Sequence, residues 1–127
     1  MKRLLVVLAA LMLTACPPLV VQQAGKPDVT FSGPRLGPDA FVSFDGARLG
    51  LTTWPAATPE PRAVVIGVHG MNDYANAFHL AAPYWSQQGV TTYAYDQRGF
   101  GRSPDRGVWG GDDLMTEDLR TIVALAR

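Results

Sequence analysis

The chain has 127 residues, a formal net charge of zero at pH 7 and 47% hydrophobic residues. This composition is that of a globular protein with one domain at most, and it argues against a nucleic-acid-binding protein and against a charged disordered tail. The single cysteine, Cys16, excludes an intrachain disulfide and any CxxC redox or zinc motif.

Residues 1–15 predict a secretory signal peptide. Met1, Lys2 and Arg3 form a short positive start, and an uninterrupted apolar run follows over residues 4–13. A helix of that length rises only ~15 Å, about half the hydrocarbon thickness of a bilayer, so it is too short to span. A positive start followed by a short apolar run is typical of a secretory signal.

The end of this run resembles the bacterial lipobox, in which small residues precede a cysteine that is lipidated before cleavage. The matching residues are Leu13, Thr14, Ala15 and Cys16. The resemblance implies a mature chain that begins at an acylated Cys16, and several acyl chains at ~0.8 kcal/mol per methylene anchor stably. It also implies export to a bacterial cell envelope, and Pro17 favours the outer membrane because an Asp there would resemble the inner-membrane retention signal. The alternatives are an ordinary signal peptide with an incidental cysteine, or a buried core helix.

Residues 16–39 predict a flexible tether, and residues 40–127 an ordered domain. The tether segment is rich in proline, glycine and short polar residues and has neither a helical nor a strand period. Such a composition is typical of an extended linker, here one that lifts the domain off the bilayer.

The ordered part begins with a predicted hairpin. Residues 41–44 and 48–54 flank Asp45 and Gly46, and Asp-Gly between apolar-rich runs is a strong hairpin signal. The almost unbroken apolar run at residues 63–69 then predicts a strand in the middle of a sheet that helices cover on both faces.

A parallel unit follows the hairpin. Residues 76–88 predict a helix, residues 90–95 a second β-rich strand, and residues from 112 onwards a second helix. The first helix has an apolar stripe made of Phe78, Ala81, Ala82 and Trp85. Strand, helix and strand in this order form a βαβ unit with a right-handed crossover. The predicted fold class is therefore α/β, an antiparallel hairpin that leads into a parallel βαβα unit of an incomplete sheet.

The loop after the first parallel strand excludes the common phosphate sites. It consists of His69, Gly70, Met71 and Asn72, and it contains neither GxGxxG nor GxxxxGK[ST]. No cofactor and no metal ion are predicted.

Two motifs at the ends of the parallel strands together resemble the α/β-hydrolase superfamily. His69-Gly70 closes the first strand, and Asp96-Gln97-Arg98-Gly99-Phe100-Gly101-Arg102-Ser103 closes the next and matches the D-x-R-G-x-G-x-S loop residue for residue. The run 93–99 looks most like the group of monoacylglycerol lipases, lysophospholipases and serine aminopeptidases. The resemblance covers residues 41–127 and implies the N-terminal half of an α/β-hydrolase domain.

The resemblance implies a role for each residue of the first loop. These enzymes stabilise a tetrahedral oxyanion with two backbone N–H groups, one of which maps onto Met71. Gly70 suits a backbone that turns sharply and approaches the substrate closely. His69 is expected to fix the loop rather than to act as the catalytic base. The alternative is a plain turn between a strand and a helix.

The second motif is expected to be architectural. Arg98 ties the loop down through charge-assisted hydrogen bonds, Gly99 and Gly101 allow a tight backbone, and Asp96 and Ser103 complete the pattern. The alternative for Arg98 or Arg102 is binding of an anionic substrate group.

The nucleophile is missing from the sequence. The chain has no G-x-S-x-G, and none of its serines lies on a predicted turn from a strand into a helix: Ser32, Ser43, Ser86 and Ser103. In the family, the nucleophile, the acid and the catalytic histidine come later in the chain. The resemblance therefore implies an inactive fragment of a lipid-anchored serine hydrolase that acts on a small acyl substrate, an ester or lipid. The alternatives are a short non-catalytic lipoprotein that binds or scaffolds, or a hydrolase with an Asp nucleophile similar to the epoxide hydrolases.

Overall fold

The computed structural model describes residues 18–127. The predicted signal peptide and Cys16 lie outside the described residues. The elements in chain order are β1 (Arg35–Leu36), β2 (Ala40–Val42), β3 (Arg48–Trp54), β4 (Ala63–Val68), a 3₁₀ helix (Ala75–Phe78), α1 (Ala81–Gln87), β5 (Val90–Tyr95) and α2 (Asp112–Leu125).

The strands form one mixed sheet in the order β1-β2-β3-β5-β4. β2 and β3 pair as an antiparallel hairpin, with Phe41 opposite Leu49, and β3 runs antiparallel to β5. β4 and β5 are parallel, and the crossover between them passes through the 3₁₀ helix and α1. The hairpin followed by a parallel βαβα unit is the predicted arrangement, and the α/β fold class is confirmed.

The core lies between the antiparallel part of the sheet and α2. Its fully buried residues come from four different elements: Phe41, Leu49, Leu51, Tyr95 and Ile122. The rings of Phe41 and Tyr95 meet edge to face, with centroids 5.7 Å apart, a geometry in which the positive edge of one ring faces the negative face of the other.

The predicted helix at residues 76–88 is split into the 3₁₀ helix and α1. Pro83 explains the break, because proline has no N–H to donate to the carbonyl four residues earlier and is tolerated only in the first turn of a helix. α1 begins at Ala81, so Pro83 lies in that first turn. The first piece packs closely on β4, since a Cβ at Gly67 would lie 2.8 Å from the ring of Phe78.

The segment predicted as a tether contains two short stretches of backbone pairing. Arg35 and Leu36 pair with Val42 and Phe41 of β2, and Val21 forms a parallel bridge with Trp109. Strands of one or two residues are too short to show a period in the sequence, and backbone groups rather than side chains hold them. Part of the segment between residues 18 and 39 therefore lies against the domain.

β4 is the end strand of the described sheet, where the sequence predicts a strand covered on both faces. Its only neighbour within residues 18–127 is β5. The side chains of Val64 and Val68 are 40% and 43% exposed. The apolar run thus exceeds what the described neighbours of β4 cover. Within residues 18–127, no helix is long and apolar enough to cross a bilayer.

Candidate functional site

The two sequence motifs lie side by side because β4 and β5 are parallel. Their carboxyl ends share one edge of the sheet, so the loop at residues 69–73 neighbours the loop at residues 96–111. In α/β folds this edge is where ligands bind. The fold thus brings the predicted site residues together.

His69 is buried, and hydrogen bonds occupy both of its ring nitrogens. Its Nε2 accepts from the backbone N–H of Gln97 at 2.9 Å, so the proton sits on Nδ1, which is 2.8 Å from the carbonyl oxygen of Gly70. A histidine that acts as a base needs a free nitrogen lone pair near the nucleophile. His69 in this arrangement holds the loop and offers no such lone pair.

Gln97 is a residue that the sequence reasoning missed. Its side-chain Nε2 donates to the carbonyl oxygen of His69 at 2.7 Å, so side chain and main chain together join the two loops. Gln97 fills a variable position of the D-x-R-G pattern, which gives no signal for its identity. A polar residue directly after a buried strand end is the only indication that the sequence contains.

Met71 has a free main-chain donor in an open environment. Within residues 18–127 its backbone N–H reaches no acceptor, and its side chain is 70% exposed. A Cβ on Gly70 would meet no described atom within 4 Å. The left-handed backbone of this turn lies at Asn72, with φ of 59°, and not at Gly70, where the sequence predicts the sharp turn. The space in front of Gly70 is therefore free for a ligand.

Two pockets meet at Met71. One of about 190 Å³ is lined by His69, Gln97 and Met115, and one of about 420 Å³ is lined by Leu19 and Val108. Phe100 and Trp109 line both pockets, and their rings meet edge to face at 6.4 Å. Concave apolar walls with few polar groups are typical of small-molecule sites. Phe100, Trp109 and Leu19 are lining residues that the sequence motifs do not single out.

The side chains of Asp96 and Ser103 are fully engaged in hydrogen bonds to neighbouring structural groups. The buried carboxylate of Asp96 accepts from the backbone N–H of Ala75 at 2.7 Å and from both the N–H and the Nε of Arg102, at 2.8 and 3.0 Å. The Oγ of Ser103 donates to the Asp96 carbonyl at 2.5 Å and accepts from the N–H of Gly50 at 3.1 Å. Neither side chain is free to react, and each ties the loop to a strand or helix nearby.

Arg98 lies at the centre of a buried ion cluster. Its guanidinium donates to Asp45 at 2.8 and 3.0 Å and to Asp118 at 2.7 and 2.8 Å, and Ser43 donates to Asp118 at 2.5 Å. Burial alone would lower the pKa of Arg98, but the two carboxylates outweigh it and raise the pKa above its ordinary value. Burial would likewise raise the pKa of Asp45, yet the hydrogen bonds from Arg98 and from two backbone N–H groups hold it below its ordinary value.

The cluster joins the β2–β3 turn, the loop after β5 and helix α2. Sequence reasoning assigned Arg98 an architectural role but did not find its partners. Asp45 gave a signal only as half of an Asp-Gly turn, and Asp118 was placed only within the second predicted helix.

The two glycines of the second motif are required by close contacts. Gly101 has φ of 52°, and a Cβ there would overlap the carboxylate of Asp96. Gly99 has φ of 82°, and a Cβ there would overlap the carbonyl of Val108. Both positions combine the left-handed region, which favours glycine, with a lack of space.

The described chain does not contain a catalytic triad or a metal centre. Within residues 18–127 no serine is hydrogen-bonded to a histidine, and Ser43 and Ser86 donate to Asp118 and to the carbonyl of Pro55. The same residues contain no group of three or more His, Cys, Asp or Glu that could hold a metal ion.

The family model for serine aminopeptidases, S33, matches residues 59–127. That match covers more than half of the chain, so the chain belongs to this family of α/β-hydrolases. Its fold is the N-terminal portion of the α/β-hydrolase fold.

The relatives within this family include lipases. Over 88 residues the chain is 35% identical to a monoacylglycerol lipase of Mycolicibacterium smegmatis. This alignment covers 68% of the chain and 31% of the lipase. Over 87 residues it is 35% identical to a monoglyceride lipase of Saccharomyces cerevisiae, covering 65% of the chain and 28% of that protein. The chain thus spans about a third of the length of the curated relatives that it matches.

Solved structures of the same fold agree. A soluble variant of the Saccharomyces cerevisiae monoglyceride lipase, in complex with a substrate analog, matches 80% of this chain with a TM-score of 0.55 and 28% identity, over 33% of the lipase. An esterase from Exiguobacterium antarcticum matches with a TM-score of 0.52 and 21% identity, which supports the fold alone.

Proposed function

We propose that this chain supplies the oxyanion-binding part of a serine hydrolase that cleaves carboxylic esters of monoacylglycerol type. The observation that carries the proposal is the backbone N–H of Met71, which reaches no acceptor within residues 18–127. Met71 borders two pockets, and the larger of them is mostly apolar. The lipase relatives and the monoglyceride lipase structure support this substrate class.

The geometry assigns a task to each part of the first loop. An ester carbonyl placed in the open space before Gly70 can accept from the Met71 N–H, and that donor gains strength as the oxygen becomes an oxyanion. His69 and Gln97 hold the loop, so the donor is positioned before the substrate arrives. The apolar walls at Phe100 and Trp109 suit an acyl chain.

The attacking group has to come from elsewhere in the enzyme. Ser43, Ser86 and Ser103 are bonded to scaffold groups, and the ring nitrogens of His69 are both engaged. In the proposed enzyme, a serine on a strand-to-helix elbow attacks the ester carbon while a histidine takes its proton. The second oxyanion donor is the N–H that follows this serine.

The proposal includes the location of the enzyme. The lipobox-like residues that end at Cys16 support an acylated N-terminus in a bacterial cell envelope, with Pro17 favouring the outer membrane. Acylation at Cys16 would hold the enzyme at the surface of the membrane in which ester lipids reside.

A pair of substitutions at position 71 tests the oxyanion role. In the protein expressed from its complete gene, Met71→Pro removes the N–H and should lower kcat on a p-nitrophenyl ester by about 10²–10³-fold. Met71→Leu keeps the N–H and should retain the activity, because the donor is main chain. Thermal unfolding of both variants checks that Pro has not disrupted the fold.

The same preparation tests the chemistry. A fluorophosphonate probe should label one serine inside a G-x-S-x-G, whereas absence of both labelling and turnover would favour a binding role. Equal activity of a folded Met71→Pro and of Met71→Leu would exclude the Met71 N–H as an oxyanion donor.

A further inference from the structure

Val21 and Gln22, near the start of the described chain, are hydrogen-bonded to the loop that borders the candidate site. Val21 bridges to Trp109, and the N–H of Gln22 donates to the Trp109 carbonyl at 2.9 Å. The side chain of Gln22 donates to the carbonyl of Val108 at 2.8 Å, and the N–H of Gly25 donates to Asp45 at 2.7 Å. The segment at residues 21–25 thus runs along the domain rather than away from it.

This attachment places Leu19 at the larger pocket beside Met71. Leu19 lines that pocket together with Met71, Val108 and Trp109. The Leu19 and Met71 side chains are 76% and 70% exposed. Burying exposed apolar area is worth ~25 cal/mol per Å², so both side chains would gain from contact with an apolar phase. Within residues 18–127, the lining of this pocket therefore includes two exposed apolar side chains.

The number of residues between Cys16 and Leu19 limits how far Leu19 can lie from an acylated N-terminus. Cys16 precedes Leu19 by three residues, which reach at most about 11 Å when fully extended. The headgroup region on each side of a bilayer is about 5–7 Å thick. If acyl chains on Cys16 lie in the hydrocarbon, Leu19 cannot lie far outside the headgroups. The other end of the segment is fixed to the pocket wall at Trp109.

We propose that the N-terminal segment turns the mouth of the pocket beside Met71 towards the bilayer, so that the enzyme takes ester lipids directly from the membrane that anchors it. The proposal rests on the proposed esterase function and on acylation of Cys16. In this arrangement, the short segment between Cys16 and Val21 holds the pocket at the membrane surface. The sequence had instead suggested a tether that lifts the domain off the membrane. The substrate class becomes a membrane-resident ester lipid rather than a dissolved ester.

The test changes the distance between anchor and pocket while both remain intact. A flexible Gly/Ser linker of about twelve residues, with a mean span of ~17–21 Å, is inserted between Pro17 and Pro18. The control carries the same linker between Gly33 and Pro34, beyond the docked segment, where a Cβ on Gly33 would meet no described atom. Both full-length acylated proteins are reconstituted in vesicles of phosphatidylethanolamine and phosphatidylglycerol that contain monoacylglycerol.

The linker after Pro17 should lower the rate on vesicle monoacylglycerol by about tenfold, because the effective concentration of a tethered partner falls with linker length. The control linker should leave that rate unchanged, and both proteins should hydrolyse soluble p-nitrophenyl butyrate as the parent does. Cys16→Ser should lose label from radioactive palmitate and lose the vesicle rate, with the soluble rate retained.

The outcomes separate the proposals. Equal vesicle rates for the two linker variants, with soluble activity intact, would overturn the membrane-facing pocket alone. Absence of soluble activity in every protein, the parent included, would overturn the esterase function. Undiminished palmitate label in Cys16→Ser would overturn the anchor and with it the inference.

Discussion

The loops that follow β4 and β5 lie at the same edge of the sheet but differ in how their polar groups are used. In the loop after β5, Asp96, Arg98 and Ser103 are buried, and their side chains are bonded to strands and helices around them. In the loop after β4, Met71 is exposed and its N–H reaches no acceptor within residues 18–127. The loop after β5 is part of the scaffold, and the loop after β4 is open to a ligand.

This difference explains why the loop after β5 is easier to recognise in the sequence than the loop after β4. A buried charge or hydroxyl must be paired by specific partners, so its residue type is restricted and a pattern such as D-x-R-G-x-G-x-S results. A main-chain donor restricts almost nothing at its own position except proline. The most recognisable motif of the chain therefore marks the scaffold, and the group that we propose to act on substrate carries little sequence signal.

Removing the charge at the centre of the scaffold loop should have the largest effect. Arg98→Ala leaves Asp45 and Asp118 buried without their common partner, and should lower the free energy of unfolding by about 3–5 kcal/mol. Urea denaturation followed by circular dichroism measures the loss. A loss that large would leave a marginally stable domain partly unfolded at ordinary temperature.

The control is an ion pair of the same type at the surface. Arg120 pairs with Glu117 one turn away, and both side chains are exposed. Arg120→Ala should change the free energy of unfolding by about 0–1 kcal/mol, as exposed pairs usually do. Similar losses for Arg98→Ala and Arg120→Ala would show that the buried cluster does not hold the scaffold loop.

Alanine at two glycines compares the two loops directly. At Gly101 a Cβ would overlap the Asp96 carboxylate and φ is 52°, so Gly101→Ala should destabilise by more than about 1 kcal/mol. At Gly70 a Cβ meets no described atom within 4 Å, so Gly70→Ala should stay within about 0.5 kcal/mol of the parent.

The enzymatic activity of Gly70→Ala then shows whether substrate occupies the space before Gly70. If substrate occupies the space before Gly70, Gly70→Ala should reduce ester turnover in the complete enzyme although its stability is unchanged. Thermal unfolding and initial rates on a p-nitrophenyl ester give both quantities. Full turnover in Gly70→Ala would place the substrate elsewhere, and a stable Gly101→Ala would contradict the close contact.

The sequence predicted the hairpin and the two parallel strands well, for a physical reason. Apolar runs at residues 48–54, 63–69 and 90–95 bury side chains in a sheet, and burial leaves a composition and a period that can be read. The split of the helix at Pro83 was readable in principle, because proline restricts where a helix can begin. The apolar stripe continues on both sides of Pro83 and therefore favours a single helix over the split that the structure shows.

The contacts that build the site were mostly not readable. Gln97 joins the loops from a variable motif position, and Asp45 and Asp118 lie 53 and 20 residues from Arg98 in sequence. The segment at residues 21–25 docks largely through backbone atoms, whose pairing is independent of residue type. Long-range pairing of this kind requires the fold to be known first.

Acid should weaken the scaffold loop, and this is the smallest of the expected effects. The folded pKa of Asp45 lies below its ordinary value, because hydrogen bonds from Arg98 and from the N–H groups of Gly25 and Ala47 outweigh burial. A carboxyl with a lowered folded pKa contributes stability that is complete above its unfolded pKa, ~3.9, and is lost as the pH falls through the folded pKa. The free energy of unfolding should therefore decline below about pH 4.

Asp45→Asn shows whether this decline comes from the cluster. The parent should be more stable than Asp45→Asn at pH 7, and the difference should shrink in urea titrations below about pH 4, since the parent then loses the same charge. Asp28 is the control. Its pKa is lowered by the side chain and the N–H of Thr30, two residues away, and the group is fully exposed. Because such a local contact depends little on the fold, Asp28→Asn should track the parent at every pH. A difference between the parent and Asp45→Asn that stays constant or grows in acid would mean that Asp45 is not held as a carboxylate by Arg98, and that the closed loop is stabilised by its packing rather than by its charges.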